Sequence, residues 1–337
     1  MPRNSHPASF QRRAILQLSG MAAALAFGRT ALAQGLCSDG YGQPRCPLSR
    51  EAATAPIPPV FAPTGWKTTA LESIAFEMED YQQEAAFYIA LLGWKLRSDD
   101  GTQAVLDIGD WGSAIFRQVT RDTYAVPPPQ GRRVVVSSFA FVIDSWDANR
   151  VAAELQKRGM KPIAFTSGAF ESFFVKDPDG WKLQICNGLG LAQSRRTAAN
   201  TGFAKPLPFG PTGWRTEWLD HLSFHVSNYK ASASFYSNLL GWVPTYDEGS
   251  QNELAIADIG NILVRGGNPF VSSPAVPRKA VLDHICFGIA PWDADAVRAA
   301  LLSRGLPALP DLHSFHTQTP NGFNLQIGSL IRHGRLT

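Results

Sequence analysis

The sequence predicts an α+β protein of two tandem domains, each built from two βαβββ modules. Two observations lead to this prediction. The chain repeats itself at a fixed distance, and within each copy the order of strand, helix and further strands occurs twice. Its composition, 45% hydrophobic and 18% charged, is typical of globular domains, and 337 residues are enough for two of them.

The repeat is clearest in two long segments. FAPTGWKTTALESIAF begins at Phe61, and FGPTGWRTEWLDHLSF begins 148 residues later at Phe209. The same offset aligns the FY…LLGW segments that end at Trp94 and Trp242. An internal duplication of a whole domain accounts for these matches.

Each copy divides again into two halves. In the second copy the first half begins with a strand over 219–226 and a helix cap at Ser227 or Asn228. The helix then runs to Leu240 and stops at Gly241, and short strand-like runs follow. The second half of this copy, and both halves of the first, repeat the order, which gives four modules.

Motifs at the ends of these modules carry a family resemblance. FY…LLGW closes the first helix of each copy, and DPDGWKLQI or TPNGFNLQI forms its last strand. With four modules in one chain, the pattern resembles the vicinal oxygen chelate superfamily of glyoxalase I, the bleomycin-resistance proteins and the extradiol ring-cleaving dioxygenases. The resemblance covers 63–190 and 211–331, and it implies two domains, each a curved mixed sheet around one cavity. The layout is most similar to the extradiol dioxygenases, whose metal lies in the second domain.

Polar side chains of the second copy are expected to meet in its cavity. Because alternate residues of a strand share a face, His221, His284 and Gln326 lie on the polar faces of three strands. In the resembling dioxygenases, these positions hold the two histidines and glutamate of an iron or manganese site. The resemblance therefore implies a divalent metal, iron or manganese first and zinc or nickel next, with Gln326 as a weak, neutral third ligand. The alternative is that the two histidines only line the cavity and bind water or a ligand.

The first copy lacks these histidines. Its matching residues are Ser73, Ser138 and Gln184. Two hydroxyls and an amide hold a divalent ion poorly, so the first domain, 63–190, is expected to be metal-free and either structural or binding-only. The second domain, 211–331, is the candidate metal domain.

Two further histidines are candidates for catalysis. His225 shares a face with His221, so it could assist catalysis, serve as a third ligand or merely line the cavity. His316 falls near the place where the dioxygenases carry an active-site tyrosine or histidine. This resemblance implies an acid/base role for His316, with a hydrogen-bonding surface histidine as the alternative.

Two residues are candidates for substrate binding. Arg265 has a counterpart, Arg117, in the first copy, and a cavity arginine would hold an anionic substrate group. A solvated arginine at a strand end is the alternative. His313 precedes the last strand and is predicted to contact substrate or exchange protons, unless it is a surface histidine.

The N-terminus is predicted to be an export signal. Arg12 and Arg13 precede a modestly apolar run, and Ala31-Leu32-Ala33 offers a cleavage site. Residues 1–33 therefore resemble a twin-arginine signal, with a Sec signal as the alternative. This implies a periplasmic or secreted bacterial protein without a membrane span in its mature form. Proline- and glycine-rich linkers are predicted at 34–62 and 191–210.

Cysteines, charge and absent motifs limit the other functions. Cys37 and Cys46 could form a local disulfide or stay free thiols, whereas Cys186 and Cys286 are expected in the core or the cavity wall. The segment 1–33 holds four arginines and no acid, so the remainder is nearly neutral and no nucleic-acid partner is suggested. The G-x-S-x-G, P-loop, G-x-G-x-x-G and HExxH motifs are absent.

The sequence thus predicts an exported, metal-dependent enzyme of the glyoxalase or extradiol-dioxygenase type that acts on a small substrate with vicinal oxygens. A non-catalytic small-molecule binding protein of the bleomycin-resistance type is the alternative, and a scaffold with vestigial sites is a third hypothesis. The missing carboxylate at Gln326 favours binding without turnover. The retained histidine pair, the additional histidines and the export route favour the enzyme.

Overall fold

The computed structural model describes residues 60–125, 128–129, 131–190, 205–247, 249, 251–266 and 280–329. The predicted export signal at 1–33, Cys37 and Cys46, and most of the linkers at 34–62 and 191–210 lie outside these residues. Within the described part, no helix has both the length and the apolar character that a membrane crossing needs.

The first domain is an eight-stranded mixed sheet with two helices. Its elements are β1 (Thr68–Met78), α1 (Tyr81–Leu92), β2 (Lys95–Asp99), β3 (Gln103–Ile108), β4 (Gly112–Gln118), β5 (Val134–Ile143), α2 (Ala148–Lys157), β6 (Ile163–Ser167), β7 (Phe170–Lys176) and β8 (Lys182–Cys186). The strand order is β2-β3-β4-β1-β5-β8-β7-β6. Two βαβββ modules are therefore joined through the antiparallel β1–β5 pair, and each closes with a parallel pair, β1–β4 or β5–β8.

The second domain repeats this topology element for element. Its elements are β9 (Arg215–His225), α3 (Tyr229–Leu240), β10 (Val243–Asp247), β11 (Gln251–Ile256), β12 (Gly260–Arg265), β13 (Val281–Ala290), α4 (Ala294–Leu302), β14 (Leu309–Asp311), β15 (Ser314–Gln318) and β16 (Asn324–Gly328). The strand order is β10-β11-β12-β9-β13-β16-β15-β14. The predicted α+β fold of tandem βαβββ modules is confirmed.

Local signals set the ends of the helices. Each N-cap side chain accepts a hydrogen bond from the backbone N–H three residues further on, which satisfies one of the open donors of the first turn. The four caps are Asp80, Asp147, Asn228 and Asp293. Of the two caps predicted for α3, Asn228 is the one used. Gly93 and Gly241 end α1 and α3 in the left-handed conformation, with φ of 68° and 71°.

The two domains share one hydrophobic core. Aromatic rings of each domain contact rings of the other, in two sets related by the duplication. The crossing pairs, with distances between ring centroids, are Trp94–Phe287 (5.2 Å), Trp242–Phe141 (5.0 Å), Phe76–Phe323 (5.7 Å) and Phe224–Trp181 (4.9 Å). Each domain therefore removes part of the other's apolar surface from water, which stabilises the contact between them.

The repeated PTGW and LLGW motifs dock on each other across the domains. Thr64 of the first PTGW donates to the carbonyl of Leu239 at 2.8 Å. Thr212 of the second PTGW donates to the carbonyl of Leu91 at 2.7 Å. These motifs are therefore contacts between the copies as well as helix ends.

Candidate metal centre

Two histidines on neighbouring strands bring their ring nitrogens together. His221 lies on β9 and His284 on β13, both are buried, and their Nε2 atoms are 3.0 Å apart. Two imidazole nitrogens that bind one ion at ~2.1 Å and at right angles to each other lie ~3 Å apart. The observed separation therefore fits two adjacent ligands of one ion.

An aspartate holds the outer nitrogen of each histidine. The Nδ1 of His221 lies 2.6 Å from Asp220 Oδ1, and the Nδ1 of His284 lies 2.7 Å from Asp283 Oδ2. Because an ionised carboxylate only accepts, each Nδ1 carries the hydrogen and each Nε2 presents a lone pair. Two lone pairs at 3.0 Å repel unless a cation or proton lies between them, so the pair fits a bound metal.

Two β-bulges bring these aspartates to the histidines. Regular alternation would place Asp220 and Asp283 on the face opposite to the histidines. The β9–β13 ladder, however, skips Asp220 in β9 and Asp283 in β13, so each is the extra residue of a bulge. The first domain has the same bulges at Glu72 and Ser137. The bulges therefore belong to the fold, and the second domain adds an Asp-His pair at each.

Burial and neighbouring charges keep His284 neutral and its partner Asp283 ionised. Burial is the main cause that holds the pKa of His284 well below its ordinary value, so its ring is neutral and can act as a ligand. Burial opposes ionisation of Asp283, but the hydrogen bond from His284 and nearby positive charge hold the pKa of this carboxyl below its usual range. Asp283 is therefore an anion beside a neutral donor.

The amide of Gln326 is held in one orientation. Its Nε2 donates to Ser314 Oγ at 2.6 Å and to Asp311 Oδ2 at 3.1 Å. Its Oε1 is buried and has no hydrogen-bond partner among the described residues. In the ladders Gln326 pairs with Cys286, which pairs with His221, so all three lie in one row across the sheet. A buried oxygen without a partner is an acceptor that a cation would satisfy.

The structure brings His316 to this cluster but not His313. The rings of His316 and His284 have centroids 4.9 Å apart and are nearly perpendicular. His316 Nδ1 donates to Asn324 Oδ1 at 2.9 Å, and its Nε2 lies 3.8 Å from Asp311 Oδ2. His313 is exposed in the turn between β14 and β15.

His225 and Arg265 are direct partners in the β9–β12 ladder, and His225 lies four residues along β9 from His221. Burial is the main cause that lowers the pKa of His225 to about 4; Asp283 opposes this shift, whereas Arg265 and Arg132 add to it. His225 is therefore neutral at neutral pH. It can donate or accept a hydrogen bond there, but it does not take up a proton.

A second group of possible ligand atoms lies on the outer side of His221. Atoms of Asp220, His221 and Cys286 all lie within 4.8 Å of one another. The hydrogen bond between Asp220 and His221 already uses part of this group. The Nε2 side of the histidine pair is therefore the better ion site. Cys286 is buried, as is Cys186 in the first domain.

In the first domain, Ser73, Ser138 and Gln184 stand at the positions of His221, His284 and Gln326. Gln184 donates to Ser172 Oγ at 2.8 Å, as Gln326 does to Ser314. The amide arrangement is thus common to both domains, and the histidines distinguish the second.

Sequence reasoning missed three carboxylates that shape the site: Asp220, Asp283 and Asp311. A signal for the first two was available, because the tripeptide Leu-Asp-His occurs at both 219–221 and 282–284. For Asp311 no local signal exists, since its contact with Gln326 depends on how β14, β15 and β16 pair.

Comparisons with known proteins agree with this architecture. Residues 71–185 match the family model described as the Glyoxalase/Bleomycin resistance protein/Dioxygenase superfamily. No curated protein sequence matches the chain.

Solved structures share the fold at low sequence identity. The Mn(II)-bound glyoxalase from Novosphingobium aromaticivorans is 17% identical, with a TM-score of 0.57 over 78% of this chain and 83% of that chain. The 2,3-dioxygenase LapB from Pseudomonas sp. KL28 is 15% identical, with a TM-score of 0.54 over 78% and 92%. Homoprotocatechuate 2,3-dioxygenase from Arthrobacter globiformis is 17% identical, with a TM-score of 0.53 over 81% and 82%.

Proposed function

We propose that the chain is a metal-dependent enzyme, because its residues 71–185 match the model of the glyoxalase, bleomycin-resistance and dioxygenase superfamily and both of its domains share the fold of the similar solved structures. Its centre lies in the second domain, with His221, His284 and Gln326 as ligands. The observation that carries the proposal is the 3.0 Å separation of the two Nε2 atoms, each on a ring whose Nδ1 is held by an aspartate.

Iron or manganese is the proposed metal, because the proposed ligand set combines two imidazole nitrogens with an amide oxygen. One of the similar structures is a Mn(II)-bound glyoxalase, which supports the same choice. Held by these three residues, the ion would supply Lewis acidity toward the two adjacent oxygens of a small substrate. Zinc and nickel are the other metals to be tested.

The residues around the ion have separate tasks. His316 carries a hydrogen on Nδ1 and donates it to Asn324. Its Nε2 is therefore the ring atom that accepts a proton from the substrate. Arg265 binds an anionic group of the substrate, and neutral His225 beside it donates or accepts a hydrogen bond. His313 contacts only a part of the substrate that extends to the β14–β15 turn.

Binding without turnover is the second candidate function. It is favoured by Gln326, because a neutral amide leaves more net charge on the ion and binds it less tightly than a carboxylate would. A protein of this kind would retain the ligand unchanged and would need no metal for it.

Metal content tests the first proposal directly. We expect about one metal per full-length chain, and loss of it in His221→Ala and in His284→Ala, because each change removes one of three ligands. The matched controls are Ser73→Ala and Ser138→Ala, the corresponding positions of the proposed metal-free first domain. Metal that is absent from the wild-type protein, or that survives both histidine changes, would contradict the proposal.

Export by residues 1–33 is a further part of the proposed function. Fractionation of cells that express the full chain should place the mature protein outside the cytoplasm, and Arg12→Lys/Arg13→Lys should retain it inside if the twin-arginine route is used. Retention of the wild-type chain in the cytoplasm would contradict export.

A further inference from the structure

An arginine of the first domain reaches the metal-site aspartate of the second. Arg132 precedes β5, and its Nη2 donates to Asp283 Oδ1 at 3.1 Å, while Nη1 donates to the carbonyl of Leu282 at 3.3 Å. Asp283 accepts from His284 Nδ1 with its other oxygen, Oδ2, at 2.7 Å. One carboxylate therefore joins a cation of the first domain to a candidate ligand of the second.

The surroundings of Arg132 fix its position. The side chains of Arg132 and Asp283 are only 16% and 13% exposed, and the guanidinium lies over the ring of Phe323, 5.7 Å from its centroid. The backbone before Arg132 also packs closely on the second domain, since a Cβ added to Gly322 would lie 2.9 Å from the carbonyl oxygen of Gly131. An ion pair held this far from water is screened less than a surface pair.

We propose that Arg132 is a positioning residue for the metal centre: it fixes Asp283, which in turn fixes the tautomer and the direction of His284. Asp283 is the extra residue of a β-bulge, so the regular strand ladder does not set its position. Its two oxygens are held by Arg132 on one side and His284 on the other. This inference rests on the proposed function in one respect: the orientation of His284 matters because His284 is a proposed metal ligand.

The inference gives the first domain a role in the site of the second. The first domain carries Ser73 and Ser138 at the positions of the two histidines, yet its Arg132 holds Asp283 of the second domain. The fork of Arg132 reaches two acceptors at once, the Asp283 carboxylate and the Leu282 carbonyl, which a lysine ammonium matches less well.

The neighbouring Arg133 supplies a matched control. It lies in the same segment and contacts the same domain, because its backbone N–H donates to the carbonyl of Asn321 at 2.8 Å and its Nη2 to the carbonyl of Pro320 at 3.0 Å. Its guanidinium contact is exposed. Arg133→Gln therefore removes a contact between the domains without removing the Arg132–Asp283 ion pair.

The experiment measures Mn²⁺ affinity of the full chain for the wild type, Arg132→Gln, Arg132→Lys and Arg133→Gln. Outer partners of metal ligands typically change affinity about 10- to 100-fold, and we expect a loss of about 10-fold for Arg132→Gln. Arg132→Lys should recover part of it, and Arg133→Gln should stay within about twofold of the wild type. Equal affinities for Arg132→Gln and Arg133→Gln would overturn the inference.

The metal-free protein separates this inference from the proposed function. Nitrogen NMR of the His284 ring should show the hydrogen on Nδ1 in the wild type and in Arg133→Gln, and a mixture of tautomers in Arg132→Gln. If no variant binds Mn²⁺, the metal proposal fails, and the tautomer result alone decides the role of Arg132. An unchanged tautomer in Arg132→Gln would overturn that role, whatever the metal result.

A double substitution excludes a merely structural effect. If Arg132 acts through Asp283, Arg132→Gln should weaken Mn²⁺ binding in the wild type but add no further loss in an Asp283→Asn background. Additive losses would mean that Arg132 acts by another route, which would overturn the inference.

Discussion

Gln326 donates its amide hydrogen to Asp311 at 3.1 Å, so the second domain holds a carboxylate one hydrogen bond away from the position at which the resembling dioxygenases carry theirs. The carboxylate is that of Asp311, and it contacts the Nε2 atom of the Gln326 amide. The other amide atom, Oε1, is buried without a hydrogen-bond partner among the described residues, and Gln326 lies in one row of the sheet with Cys286 and His221.

A glutamate at 326 would therefore meet two opposing effects. Its carboxylate is a stronger ligand than the amide, but it lies against Asp311, and two adjacent carboxylates repel. We expect Gln326→Glu to bind Mn²⁺ more tightly than the wild type, and Gln326→Glu/Asp311→Asn to bind about tenfold more tightly again. Isothermal titration measures both, and Gln184→Glu in the first domain is the control. Unchanged affinity in the double variant would mean that residue 326 is not a ligand.

The aspartates behind the histidines are expected to set the metal affinity. Asp220→Asn removes the anion that holds Nδ1 of His221, and the neutral amide can turn its NH₂ toward the ring and favour the wrong tautomer. We expect Mn²⁺ affinity to fall about 10- to 100-fold. Glu72→Gln changes the equivalent bulge of the first domain and should leave the affinity unaltered. A loss of similar size in Glu72→Gln would show that the effect comes from the fold rather than the site.

Gly93 is expected to be essential for the contact between the domains. A Cβ there would lie 2.4 Å from the carbonyl oxygen of Trp214, in addition to the strain of a left-handed residue with φ of 68°. Gly159 has a similar φ of 76°, but a Cβ added there would meet no atom within 4 Å. Gly159→Ala therefore measures the cost of the left-handed backbone alone. Thermal unfolding should show a loss of about 1 kcal/mol for Gly159→Ala and clearly more for Gly93→Ala. Equal losses would contradict the importance of the close approach.

Two buried carboxyls at the contact between the domains should make stability depend on pH. Burial raises the pKa of Glu84 to about 7, although hydrogen bonds from Asn321 act in the opposite direction. Burial, together with the negative charge of Asp179, raises the pKa of Asp177 to about 7. The folded state therefore binds more protons than the unfolded state, whose carboxyls titrate near 4.5 and 3.8. The two carboxyls therefore contribute fully to the stability of the folded state below the unfolded-state pKa values, and this contribution is lost as the pH rises through about 7.

Unfolding midpoints measured from pH 5 to pH 8 test this. We expect stability to decrease with rising pH in the wild type, and less steeply in Glu84→Gln and Asp177→Asn, which remove the titrating groups. Asp110→Asn, a substitution at an exposed turn, should keep the wild-type slope. The same slope in all four proteins would exclude Glu84 and Asp177 as its cause.

The sequence predicted the strands and faces of the candidate ligands, because that prediction needs only alternation within each strand. His221, His284 and Gln326 lie on β9, β13 and β16, and hydrogen-bonded ladders join these strands directly. Alternation failed for Asp220 and Asp283, because each is the extra residue of a bulge and a bulge shifts the face on which a residue lies. His313 illustrates a different limit, since the position of a turn residue depends on how its hairpin packs.

By itself the sequence determined the duplication, the order of the modules, the ends of the helices and the difference between a domain with histidines and one without. These features depend on residues close together in the chain or on a comparison of the two copies. Only the tertiary structure decided that both Nδ1 atoms meet aspartates, that Gln326 is held by Asp311, and that Arg132 of the first domain reaches Asp283 of the second. The reason is physical: these contacts join strands and domains far apart in sequence, and their geometry is fixed by the bulged register of the sheet and by the core that the two domains share.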